Sequence, residues 1–324
     1  RRSVGLGLEA VAVKAVLPAI ARGLLEPHLP AEVEPVWFTT PAEAESMIAD
    51  ATIAWVDMQP THLTEQAIRA AGPKLQWVST LYAGLDAFPL DLLRDRNVTV
   101  TNGAGINAVA VAEYAVLGIL AAAKRYDEVV RMADRREWPM VSPGRIELVD
   151  TRALIVGYGT IGRLIGERLA AFGVDVTGVT RSGRDGTLAP DQWQGQIGEY
   201  DWIVLAAPST DATRTMIGAE QLAAMKRSEW LINIARGDMI DQDALVSALT
   251  DGAIAGAFLD PTTPEPLPAD HPLWSAPNCL ISMHLSGRSQ NTMFQRAAAL
   301  FLENVQAFVA GKPMRNVADL DAGY

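Results

Sequence analysis

Two α/β domains, each built on a parallel sheet, form the fold class this sequence predicts, and three observations predict it. Short apolar runs alternate with helical patterns through residues 1–100. The alternation restarts at Ala153 and continues to His284. At that restart, the apolar run Ala153-Leu154-Ile155-Val156 enters Gly157-Tyr158-Gly159-Thr160-Ile161-Gly162, and a helical pattern, Arg163 to Phe172, follows. A strand–turn–helix setting gives such a glycine pattern its meaning. With 324 residues the chain is long for one core, so two domains are expected.

In the first domain, residues 4–8, 34–38, 51–56, 75–79 and 98–100 are expected to be strands. Residues 18–25, 42–49 and 64–71 are expected to be helices. Residues 5–21 are apolar with no clear period, so their structure stays open. A long helical pattern, 108–125, precedes a polar arm through Trp138. The second domain's strands are expected at 153–156, 174–180, 201–206, 230–234, 254–259 and 279–283. A last helical pattern, 290–310, stops at Gly311-Lys312-Pro313, a helix-ending signal. The proline-rich run 261–268 reads as an ordered loop at a strand's carboxyl end, where open α/β sheets bind ligands.

The glycine pattern has a specific chemistry. Gly157 permits the tight turn, Gly159 lets backbone approach a pyrophosphate, and Gly162 lets helix pack close to strand. The free N–H groups and positive dipole end of the following helix, from Thr160 and Ile161 on, face a diphosphate. This is a Rossmann-like dinucleotide site, with Tyr158, Pro208 and Ala235 as further candidates for its lining. In an NAD site the second strand ends in a carboxylate that binds the adenosine ribose. Here Asp175 comes too early, and Thr180-Arg181-Ser182 stands at the end. A guanidinium with hydroxyls would hold a 2′-phosphate by charge-assisted bonds. NADP(H) is therefore the expected preference, with NAD(H) possible; Arg184 lies nearby, and the bland reading makes both arginines surface charges.

Bulk composition bounds the partners. Hydrophobic residues make up 49% and charged residues 20% of the chain, an ordinary globular balance. The net charge is −11, and no Lys/Arg cluster offers a basic face to nucleic acid. Residues 108–123 are apolar but too short to span a bilayer and interrupted by Glu113. One cysteine, Cys279, excludes an intramolecular disulfide and suits a reducing compartment, so a cytoplasmic location is expected. No signal-peptide pattern shows at the amino terminus, although the chain opens on Arg1 rather than Met, so upstream residues are expected. No metal is expected.

Three strand-end segments each deliver one polar residue: Arg236, Glu265 and His284. Hydride reduction of a 2-keto acid places charge on the carbonyl oxygen, which then needs a proton. His284 can donate it, and can take it back from the alcohol in reverse. Glu265 beside it would favour the imidazolium form. Arg236 can hold the substrate carboxylate and polarise the carbonyl. Each residue alone has a bland reading; the joint placement is what points to chemistry.

At these residues the chain resembles the D-isomer-specific 2-hydroxyacid dehydrogenases, nearly end to end. The match includes Gly84-Leu85-Asp86, Asn107 with Ala112-Glu113, the glycine motif, Asn233-Ile234-Ala235-Arg236-Gly237, Leu259-Asp260, Glu265-Pro266-Leu267-Pro268, His271-Pro272-Leu273-Trp274 and His284. The resemblance implies Rossmann-like and flavodoxin-like domains with the active site in the interdomain cleft. It implies Arg236, Glu265 and His284 as the catalytic set. It adds substrate-carboxylate binding by backbone amides near Ala83-Gly84, with Arg236 and His284 also touching substrate, and places Asp260 near the nicotinamide. It implies a homodimer through residues 108–138 and discontinuous domains: 1–102 with 289–324 for substrate, and 103–288 for dinucleotide. Thr180-Arg181-Ser182 looks like the NADPH-preferring glyoxylate/hydroxypyruvate reductase branch. Met283 departs from the Pro often found before the family's catalytic His, and residues 4–16 match poorly. Two other readings stand beside this one. A formate-type dehydrogenase would carry Gln at Glu265, and a corepressor-like dinucleotide sensor would bind without turnover. Trp55, Met58, Tyr82 and Trp138 are candidates for the wall of the substrate side-chain pocket, although such residues are more often core.

Overall fold

The computed structural model describes residues 12–85 and 87–321. Its first strand, β1 (Val13–Pro18), lies inside the stretch whose sequence has no period. Its last four residues are buried, and a strand covered on both faces has no alternation to read. The strand expected at 4–8 lies outside the described residues.

Residues 12–106 and 291–321 fall in one compact unit, and 107–290 form the second. In the first unit, β1, β2 (Val33–Phe38), β3 (Ile53–Ala54), β4 (Trp77–Ser79) and β5 (Thr99–Thr101) pair in parallel in the order β2-β1-β3-β4-β5. The helices between them are α1 (Arg22–Leu25), α2 (Pro41–Met47), α3 (His62–Arg69) and α4 (Leu90–Asp95). A capping box starts α2: the Thr40 hydroxyl accepts from the Glu43 N–H, and the Glu43 carboxylate accepts from the Thr40 N–H. Ala44 from α2, Ile48 just after it, Ala67 and Ile68 from α3, and Leu93 from α4 cover one sheet face.

The second unit opens with α5 (Ala108–Lys124) and α6 (Tyr126–Asp134), so the expected polar arm contains a helix. Its Asp127–Arg131 ion pair at 2.6 Å has i,i+4 spacing. The six strands are β6 (Arg152–Val156), β7 (Asp175–Val179), β8 (Trp202–Leu205), β9 (Trp230–Asn233), β10 (Gly256–Leu259) and β11 (Cys279–Ile281). They form a parallel sheet ordered β11-β10-β9-β8-β6-β7. The chain therefore reverses direction across the sheet beside β6, the strand that precedes the glycine motif. On one face lie α5 and α7 (Thr160–Ala171), with Ile119, Ile165 and Leu169 in the core. On the other lie α8 (Ala219–Ala224) and α9 (Gln242–Thr250), with Leu222 and Leu245.

The chain then returns to the first unit as α10 (Met293–Val309), which covers that sheet's other face. Phe301 stacks on Trp77 at 5.1 Å between ring centroids and also meets Trp55. Aromatic pairs of this kind add about 0.5–1.5 kcal/mol beyond their buried area. Trp55, a candidate for the substrate wall, is thus also a core residue at 1% exposure.

Candidate active site

The dinucleotide cradle forms where β6 meets α7. Gly157 has a φ of +100°, and a Cβ there would fall 2.3 Å from the Ala207 backbone nitrogen. Only glycine fits both demands. At Gly159 a Cβ would meet nothing within 4 Å, so open space stands before the first turn of α7. That turn's N–H groups lack intrahelical acceptors, which suits a pyrophosphate. A Cβ at Gly162 would lie 2.3 Å from the Gly157 carbonyl oxygen, so this glycine permits close helix–strand packing. Thr160 is exposed and Ile161 half-buried in the same turn.

Tyr158 is occupied differently. Its N–H donates to the Val179 carbonyl at 2.8 Å, and its ring fills the space left by Gly166 and Gly178. Its side chain braces α7 against β7. Beyond β7, the Thr180 hydroxyl meets the Thr187 hydroxyl at 2.7 Å and accepts from the Gly183 N–H at 3.1 Å. Arg181, Ser182 and Arg184 are exposed on that loop. Pro208 is exposed beyond β8, its carbonyl accepting from the Thr213 hydroxyl.

The polar group gathers beyond β9, β10 and β11. Buried Asn233 ends β9; its amide donates to the Arg236 carbonyl and its oxygen accepts from the Ala235 N–H. That clasp sets the turn from which Arg236 projects. Gly237 follows because a Cβ there would lie 2.1 Å from the Thr262 carbonyl carbon. The turns after β9 and β10 are therefore in backbone contact. On the second turn, Glu265 accepts from the Thr262 N–H through Oε1 at 3.1 Å and meets His284 Nδ1 through Oε2 at 2.8 Å. Burial pushes the Glu265 carboxyl up. The hydrogen bond and charge of His284, the Thr262 N–H and the charge of Arg236 outweigh it, so Glu265 stays below the usual carboxylate range. Guanidinium, carboxylate and imidazole thus share one edge of the sheet.

His284 does not close a strand. β11 stops at Ile281, and both Met283 (φ 55°) and His284 (φ 54°) adopt left-handed backbone. Asp260, 1% exposed, holds that strained turn. Its carboxylate accepts from the Ser282 hydroxyl at 2.7 Å, the Leu285 N–H at 2.9 Å and the Ser286 N–H at 3.2 Å. Its carbonyl accepts from the His284 N–H at 2.7 Å. Sequence reading missed Ser282 and this bracing; the available signal was an acid directly after an apolar strand. His271 is structural, its Nδ1 accepting from the Leu273 N–H.

In the first unit, Ala83 is exposed and Gly84 half-buried on the loop after β4. The Ala83 carbonyl accepts from the Asn102 amide at 3.1 Å. No group of metal-ligating side chains occurs among the described residues, and no described helix is long and apolar enough to cross a membrane.

A glycine turn open before a helix and a His–Glu pair on one parallel sheet suit a dinucleotide-dependent oxidoreductase. The comparisons agree: residues 116–286 match the family model for the D-isomer specific 2-hydroxyacid dehydrogenase NAD binding domain. The human glyoxylate reductase/hydroxypyruvate reductase is 34% identical over 269 residues, covering 78% of this chain and 80% of that protein. A glycerate dehydrogenase of Methylorubrum extorquens is 32% identical over 310 residues, covering 93% of this chain and 96% of its own. The crystal structure of a D-isomer specific 2-hydroxyacid dehydrogenase family protein from Aeromonas salmonicida superposes with a TM-score of 0.85 at 28% identity, covering 95% of this chain and 99% of that one. The chain belongs to the D-isomer-specific 2-hydroxyacid dehydrogenase family, and is an oxidoreductase that binds a nicotinamide dinucleotide.

Proposed function

We propose that this enzyme reduces small 2-keto acids, glyoxylate and hydroxypyruvate foremost, to D-2-hydroxy acids with NADPH preferred over NADH. The observation that carries the chemistry is the 2.8 Å bond between His284 Nδ1 and Glu265. It fixes the ring so that Nε2 is the atom left to exchange a proton with substrate. Glu265, held in its ionised form, stabilises the imidazolium before transfer and orients the ring after it. Arg236 binds the carboxylate and polarises the carbonyl, together with the backbone amides of Ala83 and Gly84. Gly157 through Gly162 hold the pyrophosphate, Thr180, Arg181 and Ser182 the adenosine end, and Pro208, Ala235 and Asp260 line the remainder. When bound, the reduced nicotinamide supplies the hydride.

The human relative's name supports the substrate type, and the loop Thr180-Arg181-Ser182 supports NADPH. Glu265 speaks against the formate-type reading, and the intact dyad against a sensor without turnover. The same reading makes the protein a cytoplasmic homodimer through residues 108–138. In support, Trp138 is 90% and Met140 92% exposed beyond α6, a costly display for a lone chain.

Loss of nicotinamide absorbance over a panel of 2-keto acids, with each cofactor, tests the activity. No turnover with any acid would end the proposal. His284→Ala should lower turnover by roughly a hundredfold or more, the range for losing a general acid. An unchanged rate would remove His284 from that role.

A further inference from the structure

The first unit contains a crevice of about 210 Å³ at the carboxyl ends of its strands. Ile20 lines it beyond β1, Asp57 and Gln59 beyond β3, Tyr82 beyond β4, and Phe294 from the first turn of α10. In the order β2-β1-β3-β4-β5, the chain changes direction across the sheet between β1 and β3. Open α/β sheets bind ligands outside the strand ends at such a point. The crevice has aromatic and aliphatic walls, no Lys, Arg or His among its lining residues, and one carboxylate.

That carboxylate is Asp57. Its Oδ1 accepts from the Thr80 hydroxyl at 2.6 Å, and its Oδ2 from the Leu81 N–H at 2.7 Å and the Trp55 indole N–H at 2.8 Å. A carboxylate offers about four acceptor directions, so one on Oδ1 remains. No described cation forms an ion pair with it, and burial pushes its carboxyl up to about 6 in spite of its three donors. A charged, dehydrated acceptor with an open direction gains from a donor that a ligand brings in. The backbone connects this acceptor to the expected carboxylate-binding amides. Asp57 braces Leu81, and Ala83 and Gly84 follow two and three residues later.

We propose that this crevice receives the substrate's side chain and that Asp57 selects 2-keto acids whose side chain ends in a hydrogen-bond donor, a hydroxyl or a cation. This rests on the 2-keto acid reductase reading and names its specificity residue. Acids with a second carboxylate are disfavoured, because nothing lining the crevice neutralises them. Gln59, whose amide donates to the Tyr82 hydroxyl at 3.2 Å, forms the polar rim.

The test compares kcat/KM for donor-bearing and apolar acids of like length. Hydroxypyruvate is set against 2-oxobutanoate, and 2-oxo-5-guanidinopentanoate against 2-oxooctanoate. The first pair reads a hydroxyl close to the carbonyl, and the second a distal cation that leaves carbonyl reactivity unaltered. In the wild type at least one pair should favour the donor, and Asp57→Asn should cut that preference by about tenfold to a hundredfold. Thr80→Val removes one brace but keeps the carboxylate; it should slow all acids alike and preserve the preference. If Asp57→Asn does not fold, the wild-type guanidino pair with 2-oxoglutarate still decides. No preference in either pair, or a preference that Asp57→Asn retains, overturns the selection. Absence of turnover with every acid instead overturns the reductase reading, and the selection falls with it.

Discussion

Arg181→Asp isolates the cofactor claim. β7 runs from Asp175 to Val179, and at about 3.3 Å per residue Asp175 lies roughly 16 Å from Thr180. The Asp175 carboxylate sits 3.7 Å from Arg152 at the strand's amino end, so it cannot serve the ribose. The loop that should read position 2′ therefore presents Thr180, Arg181 and Ser182. Losing a charge-assisted bond to the phosphate costs about 1.5–3 kcal/mol. A carboxylate placed there adds about 1 kcal/mol of repulsion at ~4 Å in a water-like medium. Arg181 is exposed, which favours the low end of that sum. The expected loss in kcat/KM for NADPH is about a hundredfold. For NADH the same substitution should leave kcat/KM unchanged or raise it, because a carboxylate can accept from the ribose hydroxyl. Steady-state kinetics with glyoxylate and each cofactor, in low salt, measure both. Equal losses for the two cofactors would refute the phosphate reading, as would a wild type that prefers NADH.

Two further perturbations test the architecture around the site. Gly237→Ala sets a methyl 2.1 Å from the Thr262 carbonyl carbon, where backbone stands on both sides. It should cost about 1–3 kcal/mol of stability, and by moving Arg236 from Glu265 should lower turnover by about a hundredfold; an unaltered melting temperature and kcat would contradict it. Glu229 is closed off from solvent directly before β9, with Oε2 accepting from the Lys226 N–H and Oε1 unpartnered. Burial pushes its carboxyl up to about 7, against the Lys226 N–H and charge. The folded state thus keeps a proton that the unfolded chain releases, and stability falls as pH rises from the ordinary Glu range to about 7. Glu229→Gln escapes this loss. Its unfolding free energy should gain on the wild type between pH 5 and pH 8 by an amount on the order of 2 kcal/mol. An equal gap at both pH values would show that the carboxylate does not titrate in that window.

The legibility of this chain follows from the range of its interactions. Strands of the second unit were readable because each is a short apolar run between turns, and their ends differ from expectation by a few residues: β10 starts at Gly256 rather than 254, and β11 stops at Ile281 rather than 283. The capping box at Thr40 and Glu43 is local, and so is the glycine motif. Arg236, Glu265 and His284 could be picked out because strand ends deliver side chains to one rim. Their bracing could not. Asp260 gathering Ser282, Leu285 and Ser286 is a choice among several possible partners, made only when β10 and β11 align. The left-handed backbone of Met283 is likewise invisible, since Met does not favour it, and His284, of a type more often found there, shares it only through the turn that Asp260 holds. Asp57 escaped notice because its partners Thr80 and Leu81 lie 23 and 24 residues away.

Three carboxylates at different depths, buried Asp260, half-buried Asp57 and exposed Glu265, divide into two kinds. Asp260 is surrounded by donors of the turn after β11, and its work is to hold that turn's left-handed backbone. Glu265 spends one oxygen on the Thr262 N–H, which fixes the turn, and gives the other to His284. Asp57 spends three acceptor directions on its fold and keeps one. A carboxylate enclosed by donors of the folded chain serves first to hold structure. One that keeps an acceptor turned toward open space pays for its burial with nothing in the folded chain, and regains that cost only when a ligand supplies a donor. By that criterion Asp57 is the carboxylate left open to a ligand, Glu265 is committed to the His284 ring, and Asp260 sets the position of His284. Replacing Asp260 should therefore displace the His284 turn, while replacing Asp57 should alter which acids are chosen.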